Sequence, residues 1–161
     1  SQFLNINTCQ TTCPDLTYPN SSTFRCTACT NNCLLCTSAT SCTSCTNSTF
    51  LYNTSCIATC PSGFVGISSV CQSCTANCKT CVGGTNICLS CVTGAYYINS
   101  SQSCSTSCST GLYIDYLLQT CIGCNSTCQT CVNTSSTCTT CPSSTVFYNY
   151  QCLSNCPSGN F

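Results

Sequence analysis

Cysteine fills 26 of the 161 positions, and its spacing constrains the chain more than any other feature. From Cys26 the gaps are two, three, two, five, two, ten and three residues, then ten to Cys71. From Cys71 they are two, three, two, six, two, twelve and three, then twelve to Cys121. From Cys121 they are two, three, two, six, two, ten and three, ending at Cys156. Three eight-cysteine frames thus recur with periods of 45 and 50 residues. Periods of this size mark a repeat architecture, in which each unit is too small to fold around a core of its own. The frames divide the chain into a partial N-terminal repeat, 1–25, and repeats 26–70, 71–120 and 121–161, the last truncated at its C-terminal end.

The rest of the composition explains why cysteine must supply the cohesion. Leu, Ile, Val and Phe total 29 residues, about 18% of the chain, below the roughly 20% that usually accompanies a packed apolar core. Net charge is zero, so the charge-driven signature of disorder is missing. An even count of 26 allows up to 13 bridges, about one per 12 residues. Each closes a short loop and stabilises by roughly 2–4 kcal/mol. Bridges at this density imply an oxidising compartment, hence a secreted or cell-surface chain.

Metal ligation is the competing reading, because CxxC is a common zinc half-site. Nine such pairs start at Cys26, Cys33, Cys42, Cys71, Cys78, Cys88, Cys121, Cys128 and Cys138. A zinc ion held by four thiolates leaves a site charge of about −2, and Arg25 and Lys79 are the only cationic side chains available to offset it. No CxC spacing occurs. The residues favour disulfides over a zinc-loaded cytosolic protein.

Several classes drop out. His and Glu are missing, and Asp15 and Asp115 lie far apart in sequence, so ordinary acid–base and paired-carboxylate catalysis lack their groups. Neither Arg25 beside Cys26 nor Lys79 beside Cys78 makes a redox CxxC, and we expect no enzyme activity. With 2% charged residues there is no basic face for nucleic acid. No cofactor motif is present, and Gly83-Gly84 reads as a turn. The longest apolar runs, such as Tyr116-Leu117-Leu118, are far short of the roughly 20 residues that span a bilayer. Ser1 opens no signal-peptide pattern and no initiator Met is present, so we expect a processed form or a piece of a longer polypeptide.

Between the frames lie aromatic stretches: Phe3-Leu4-Asn5-Ile6, Phe50-Leu51-Tyr52, Ala95-Tyr96-Tyr97-Ile98 and Val146-Phe147-Tyr148. Each leads into C-x3-C, and three of the four pairs are followed by Pro, at Pro14, Pro61 and Pro157, with turn glycines at Gly63, Gly111 and Gly159. Such runs between a bridge and a turn read as small β-hairpins, their aromatics packing over disulfides. A recognition stripe is the other reading of the aromatics. Helix is disfavoured by the Thr, Ser and Asn content.

The order C-x3-C-x2-C-x6-C-x2-C-x12-C-x3-C from Cys74 to Cys108, with the C-x3-C-P-x-G ending from Cys56 to Gly63, resembles the furin-like repeat of growth-factor-receptor cysteine-rich regions. The resemblance covers nearly the whole chain. The low charge and Ser/Thr/Asn bias also resemble cysteine-rich surface antigens of protists. The furin-like resemblance implies a small disulfide-rich repeat: an elongated rod of modules with short β-hairpins and little helix. It also implies a pairing that spacing alone cannot fix. Two-bridge modules alternate with one-bridge hairpins, giving Cys13–Cys26, Cys29–Cys36, Cys33–Cys42, Cys45–Cys56 and Cys60–Cys71. The same pattern then gives Cys74–Cys81, Cys78–Cys88, Cys91–Cys104, Cys108–Cys121, Cys124–Cys131, Cys128–Cys138 and Cys141–Cys152. Cys9 and Cys156 are left over. Either the chain continues a longer array, or Cys156 of one subunit bonds Cys9 of the next, head to tail.

Six N-x-S/T sequons occur, at Asn20, Asn47, Asn53, Asn99, Asn125 and Asn133; composition alone gives about five. All six fall between cysteine frames or in short loops, where a secreted chain could carry N-glycans. Ser/Thr runs such as Thr134 to Thr140 could carry O-glycans. The reading that follows is a non-enzymatic extracellular structural glycoprotein, part of a surface coat or head-to-tail filament. The alternative is a ligand-binding or spacer segment of a receptor-like or surface-antigen ectodomain.

Overall fold

The computed structural model describes residues 1–157, so the turn expected at Gly159 lies outside the described residues. Among these residues there are twenty short strands and no helix. The chain divides into two compact units, Ser1–Ser73 with Gly83–Thr85, and Cys74–Val82 with Asn86–Phe161.

In the first unit, β1 (Phe3–Asn5), β2 (Thr8–Gln10), β3 (Thr17–Asn20) and β4 (Arg25–Ala28) form a four-stranded sheet of order β2-β1-β4-β3. A two-stranded ribbon follows, β5 (Cys33–Ser38) with β6 (Ser41–Cys45). Next, β7 (Phe50–Tyr52), β8 (Ser55–Ile57), β9 (Phe64–Ile67) and β10 (Val70–Ser73) repeat the four-stranded plan as β8-β7-β10-β9.

The second unit restarts with the ribbon of β11 (Cys78–Cys81) and β12 (Cys88–Cys91). A third sheet, β14-β13-β16-β15, is built from β13 (Tyr96–Ile98), β14 (Ser103–Ser105), β15 (Leu112–Asp115) and β16 (Thr120–Gly123). The ribbon β17 (Thr130–Cys131) with β18 (Cys138–Thr140) and the hairpin β19 (Val146–Tyr148) with β20 (Gln151–Leu153) complete it.

Each four-stranded sheet is two antiparallel hairpins zipped by a short parallel pairing between the first and last strands in chain order. The contacts are Leu4 with Arg25, Leu51 with Val70, and Tyr97 with Thr120. One backbone hydrogen bond recurs at each: Leu4 N to Phe24 O (2.8 Å), Leu51 N to Ser69 O (2.8 Å) and Tyr97 N to Gln119 O (2.9 Å). A second recurring bond ties each ribbon to the tip of the following hairpin. Cys42 N donates to Thr54 O, Cys88 N to Gln102 O and Cys138 N to Tyr150 O.

The turns follow local chemistry. After C-x3-C the chain folds back through Thr17 N to Pro14 O, Phe64 N to Pro61 O and Leu112 N to Ser109 O. The residue before each donor needs a left-handed backbone, supplied by Gly63 (φ 87°) and Gly111 (φ 86°), and in the first repeat by Leu16 (φ 67°). The β9–β10 and β19–β20 tips, Ser68-Ser69 and Asn149-Tyr150, hold both central residues at positive φ, the type I′ geometry that matches strand twist.

The interior is sulfur. Of the buried apolar residues described, all are cysteines except Ala95, and Thr49 is the buried polar one. In the second unit Cys78, Cys88, Ala95 and Cys104 form one cluster, and Cys128, Cys131 and Cys138 another, against which Tyr113 packs. Strands of three or four residues cannot hold a two-stranded hairpin in water unaided, so the bridges and their packing do so here.

Candidate functional site

Twelve bridges join cysteines 7 to 13 residues apart in sequence, so every cross-link is local. The first ribbon carries Cys29–Cys36 and Cys33–Cys42. The second carries Cys74–Cys81 and Cys78–Cys88, and the third Cys124–Cys131 and Cys128–Cys138. The last cysteine of each ribbon reaches the next hairpin, in Cys45–Cys56, Cys91–Cys104 and Cys141–Cys152. Cys13–Cys26, Cys60–Cys71 and Cys108–Cys121 close the second hairpin of each four-stranded sheet.

Cys9 and Cys156 are exposed free thiols. Cys9 occupies on β2 the place that Cys56, Cys104 and Cys152 take on β8, β14 and β20, and those three bond the cysteine closing the preceding ribbon. Cys156 occupies the place of Cys13, Cys60 and Cys108, which bond a cysteine on the last strand of a sheet. The two thiols therefore belong to different pairing classes within the repeat.

Sulfur crowding in the first unit brings Cys29, Cys33 and Cys36 together, and Cys33, Cys42 and Cys56, at distances a metal could bridge. All of them are consumed in bridges, and a disulfide sulfur has no thiolate to offer. Asp15 lies in one unit and Asp115 in the other. Asp115 is engaged locally: its Oδ1 accepts from Leu117 N at 2.9 Å and Leu118 N at 3.0 Å.

The sequons differ in setting. Asn53 and Asn99 sit at exposed hairpin tips, after β7 and after β13. Asn47 is exposed, but the hydroxyl of its sequon belongs to buried Thr49 and donates to Thr46 O at 2.8 Å. Asn20 is half-buried at the end of β3, and its Oδ1 accepts from Ser22 N at 3.0 Å. Asn125 is exposed and its Oδ1 accepts from Thr127 N at 3.1 Å. Asn133 is exposed in the turn between β17 and β18.

One surface feature that the sequence reading passed over is the β15–β16 tip. Tyr116-Leu117-Leu118 served there only as an apolar run too short for a membrane span. The signal that could have found it is the gap of twelve residues from Cys108 to Cys121 against ten from Cys60 to Cys71, which lengthens the tip.

No protein-family model matches the chain. Among curated proteins it is similar to Proprotein convertase subtilisin/kexin type 5 of Mus musculus, 29% identical over 93 residues, covering 55% of this chain and 5% of that protein. It is 31% identical over 79 residues to Proprotein convertase subtilisin/kexin type 6 of Rattus norvegicus, covering 47% of this chain and 8% of that one. It is 34% identical over 126 residues to Cysteine repeat modular protein 1 of Tetrahymena thermophila, covering 78% of this chain and 5% of that protein. The chain thus spans less than a tenth of the length of these relatives. The matches to the convertases fall in their non-catalytic cysteine-rich regions. Dense local bridging of this kind is extracellular chemistry. The chain is a disulfide-rich repeat that resembles furin-like cysteine-rich regions, and these matches together with the dense bridging support an extracellular setting.

Proposed function

We propose that the chain is a non-enzymatic structural segment of an extracellular surface coat, carrying N-linked and, on its Ser/Thr runs, O-linked glycans. The observation that carries this reading is the locality of the twelve bridges, none spanning more than 13 residues of sequence. Every hairpin except β1–β2, whose Cys9 is free, is stapled where it stands, so proteolysis or local opening in one module leaves its neighbours cross-linked. A surface with a net charge of zero suits a glycan cover, because a bare neutral surface tends to associate. His and Glu, the commonest general acids and bases, are missing from the composition.

A head-to-tail filament through Cys156 and Cys9 is the covalent version of the same reading. It requires a bond between two positions of different pairing classes, and we rank it below a coat of continuous repeats. The spacer reading, as one segment of a larger ectodomain, gains support from the small share of each relative that the chain spans.

One experiment separates these. Secreted native material is alkylated without reduction and its mass compared with a reduced sample. A monomer with both Cys9 and Cys156 alkylated favours the coat and spacer readings. A ladder that collapses on reduction restores the filament. Capture of one stoichiometric partner by the native chain would move the ligand-binding ectodomain to first place.

A further inference from the structure

The β15–β16 hairpin ends in an apolar tip. Tyr116, Leu117 and Leu118 are 71%, 96% and 67% exposed. The tip is held in shape, because Asp115 caps it through the two backbone amides and the Tyr116 ring meets Tyr96 edge to face at 6.0 Å. Tyr113, on the same hairpin, packs against the buried Cys128, Cys131 and Cys138 cluster, which fixes the hairpin against the β17–β18 ribbon. The turn of that ribbon brings Asn133 beside the tip. Asn133 lines a cleft of about 290 Å³ with Tyr113, Tyr116 and Val132. It also lines a second cleft of about 230 Å³ with Asp115, Tyr116 and Leu117. Tyr116 therefore borders two depressions that share Asn133 as a wall. Their size sits below the roughly 300–1,000 Å³ typical of small-molecule pockets, so they are shallow surface clefts and not enclosed ligand sites.

Asn133 lies two residues after Cys131, and Gly83 lies two residues after Cys81, at the same place in the preceding ribbon. Both take a left-handed backbone, φ 63° and 66°. In the repeat with Gly83 the preceding sheet has the polar tip Ser68-Ser69. In the repeat with Asn133 the preceding tip is Tyr116-Leu117-Leu118, and the residue opens the sequon Asn133-Thr134-Ser135. The acceptor and the apolar tip occur at the same junction.

We propose that Asn133 carries an N-linked glycan whose first sugars lie across Tyr116 and Leu117 and cover the apolar tip. The inference rests on the secreted-glycoprotein reading above. The donor is a polyprenyl-diphosphate-linked oligosaccharide. Asn133 Nδ2 bonds C1 of its first sugar, the C1–oxygen bond to the diphosphate breaks, the lipid diphosphate leaves with the electron pair, and the amide proton passes to a base. The apolar C–H face of the sugar then packs on the exposed ring of Tyr116, and its hydroxyls face water. Without that cover the chain presents neighbouring exposed apolar side chains on a surface of zero net charge.

The test uses the full chain secreted from a eukaryotic host. Glycopeptide masses are expected to show Asn133 occupied. Ser135→Ala removes that sequon alone, and Asn133→Gly installs the residue that the preceding ribbon carries at the same place. Non-reducing peptide maps confirm that both variants keep the native bridges. Both are expected to bind 8-anilinonaphthalene-1-sulfonate with severalfold higher fluorescence than the glycosylated parent. Adding Leu117→Ser and Leu118→Ser is expected to remove the gain. Asn133 bare while Asn53 and Asn99 are occupied would overturn the inference and leave the glycoprotein reading standing. No sequon occupied would overturn both. Asn133 occupied but dye binding unchanged in Ser135→Ala would show that the sugar points away from the tip, and a partner protein or a lipid surface would become the occupant to test.

Discussion

Replacing Cys78 and Cys88 together with alanine should open one repeat and leave the others closed. The bridge closes a loop of 10 residues, and in the chain-entropy description that restraint stabilises by about 2.7 kcal/mol. Both cysteines are deeply buried, 6% and 1% exposed, in the cluster with Ala95 and Cys104. Losing two packed sulfurs adds about 0.8 kcal/mol each, taking them as methylene-sized, and the total comes to about 4 kcal/mol. The matched control is Cys13→Ala with Cys26→Ala. That loop of 13 residues predicts about 2.9 kcal/mol of restraint, and both cysteines are only half-buried. Both substitutions are double, because a single one leaves a thiol free to exchange with neighbouring bridges. Hydrogen exchange read by peptide mass resolves each repeat separately. Amides of β11 to β14 should exchange about a thousandfold faster in the first variant, and those of β3 and β4 about a hundredfold faster in the control. Equal accelerations in the two variants would refute the contribution assigned to buried sulfur. Acceleration of β1 to β10 in the Cys78/Cys88 variant would refute the claim that the staples act locally.

Gly63→Ala should destabilise its hairpin by about 1–2 kcal/mol through backbone strain alone, since φ is 87° and nothing lies within 4 Å of the added Cβ. Gly66→Ala should cost about 1–3 kcal/mol for the opposite reason: its backbone is unstrained, but the new Cβ meets the Phe50 ring. Combining it with Phe50→Ala should give a loss smaller than the sum of the single variants, measured by thermal unfolding of each variant. Asp115→Ala removes the oxygen that accepts from Leu117 N and Leu118 N. It should destabilise the tip by about 1 kcal/mol, as loss of a comparable cap does, seen as faster exchange of those two amides, with Asp115→Asn close to the parent. A chelator should leave the far-ultraviolet circular dichroism unchanged while a thiol reductant abolishes it, since the crowded sulfurs around Cys33 are bonded to one another. Loss of signal on chelation would move the protein to the metal class.

The hairpins and the lack of helical pattern were legible because each aromatic run is bracketed by a bridge and a turn. Phe50-Leu51-Tyr52 and Tyr96-Tyr97-Ile98 become strands as their composition implies. The zipping of two hairpins into one sheet was not legible. It rests on contacts such as Leu51 with Val70, and a strand of three residues has too short an alternation to name its neighbour. The turn after C-x3-C was legible at Gly63 and Gly111, but Leu16 takes the same left-handed position with a side chain that disfavours it. Burial of the Thr49 hydroxyl inside the Asn47 sequon was also invisible, because a sequon pattern reports residue type and not accessibility. The order of cysteine pairing came from the family resemblance. Spacing among 26 cysteines leaves many connectivities open.

A core made of sulfur changes what the rest of the chain is free to do. In an ordinary small domain the strands must bury large side chains, and a hairpin tip is limited by the register those side chains impose. Here the bridges fix the register, and half-buried strands such as β7, β13 and β15 add packing on top. The tips then carry little of the folding free energy, and exposed positions of that kind usually tolerate exchange within about 0.5 kcal/mol. The chain displays that freedom internally: the second-hairpin tips of successive sheets read Ser68-Ser69 and Tyr116-Leu117-Leu118-Gln119 on the same frame. Surface properties such as polarity and apolar contact can therefore vary at the tips without reworking the staples, a separation that the coat proposed above would use.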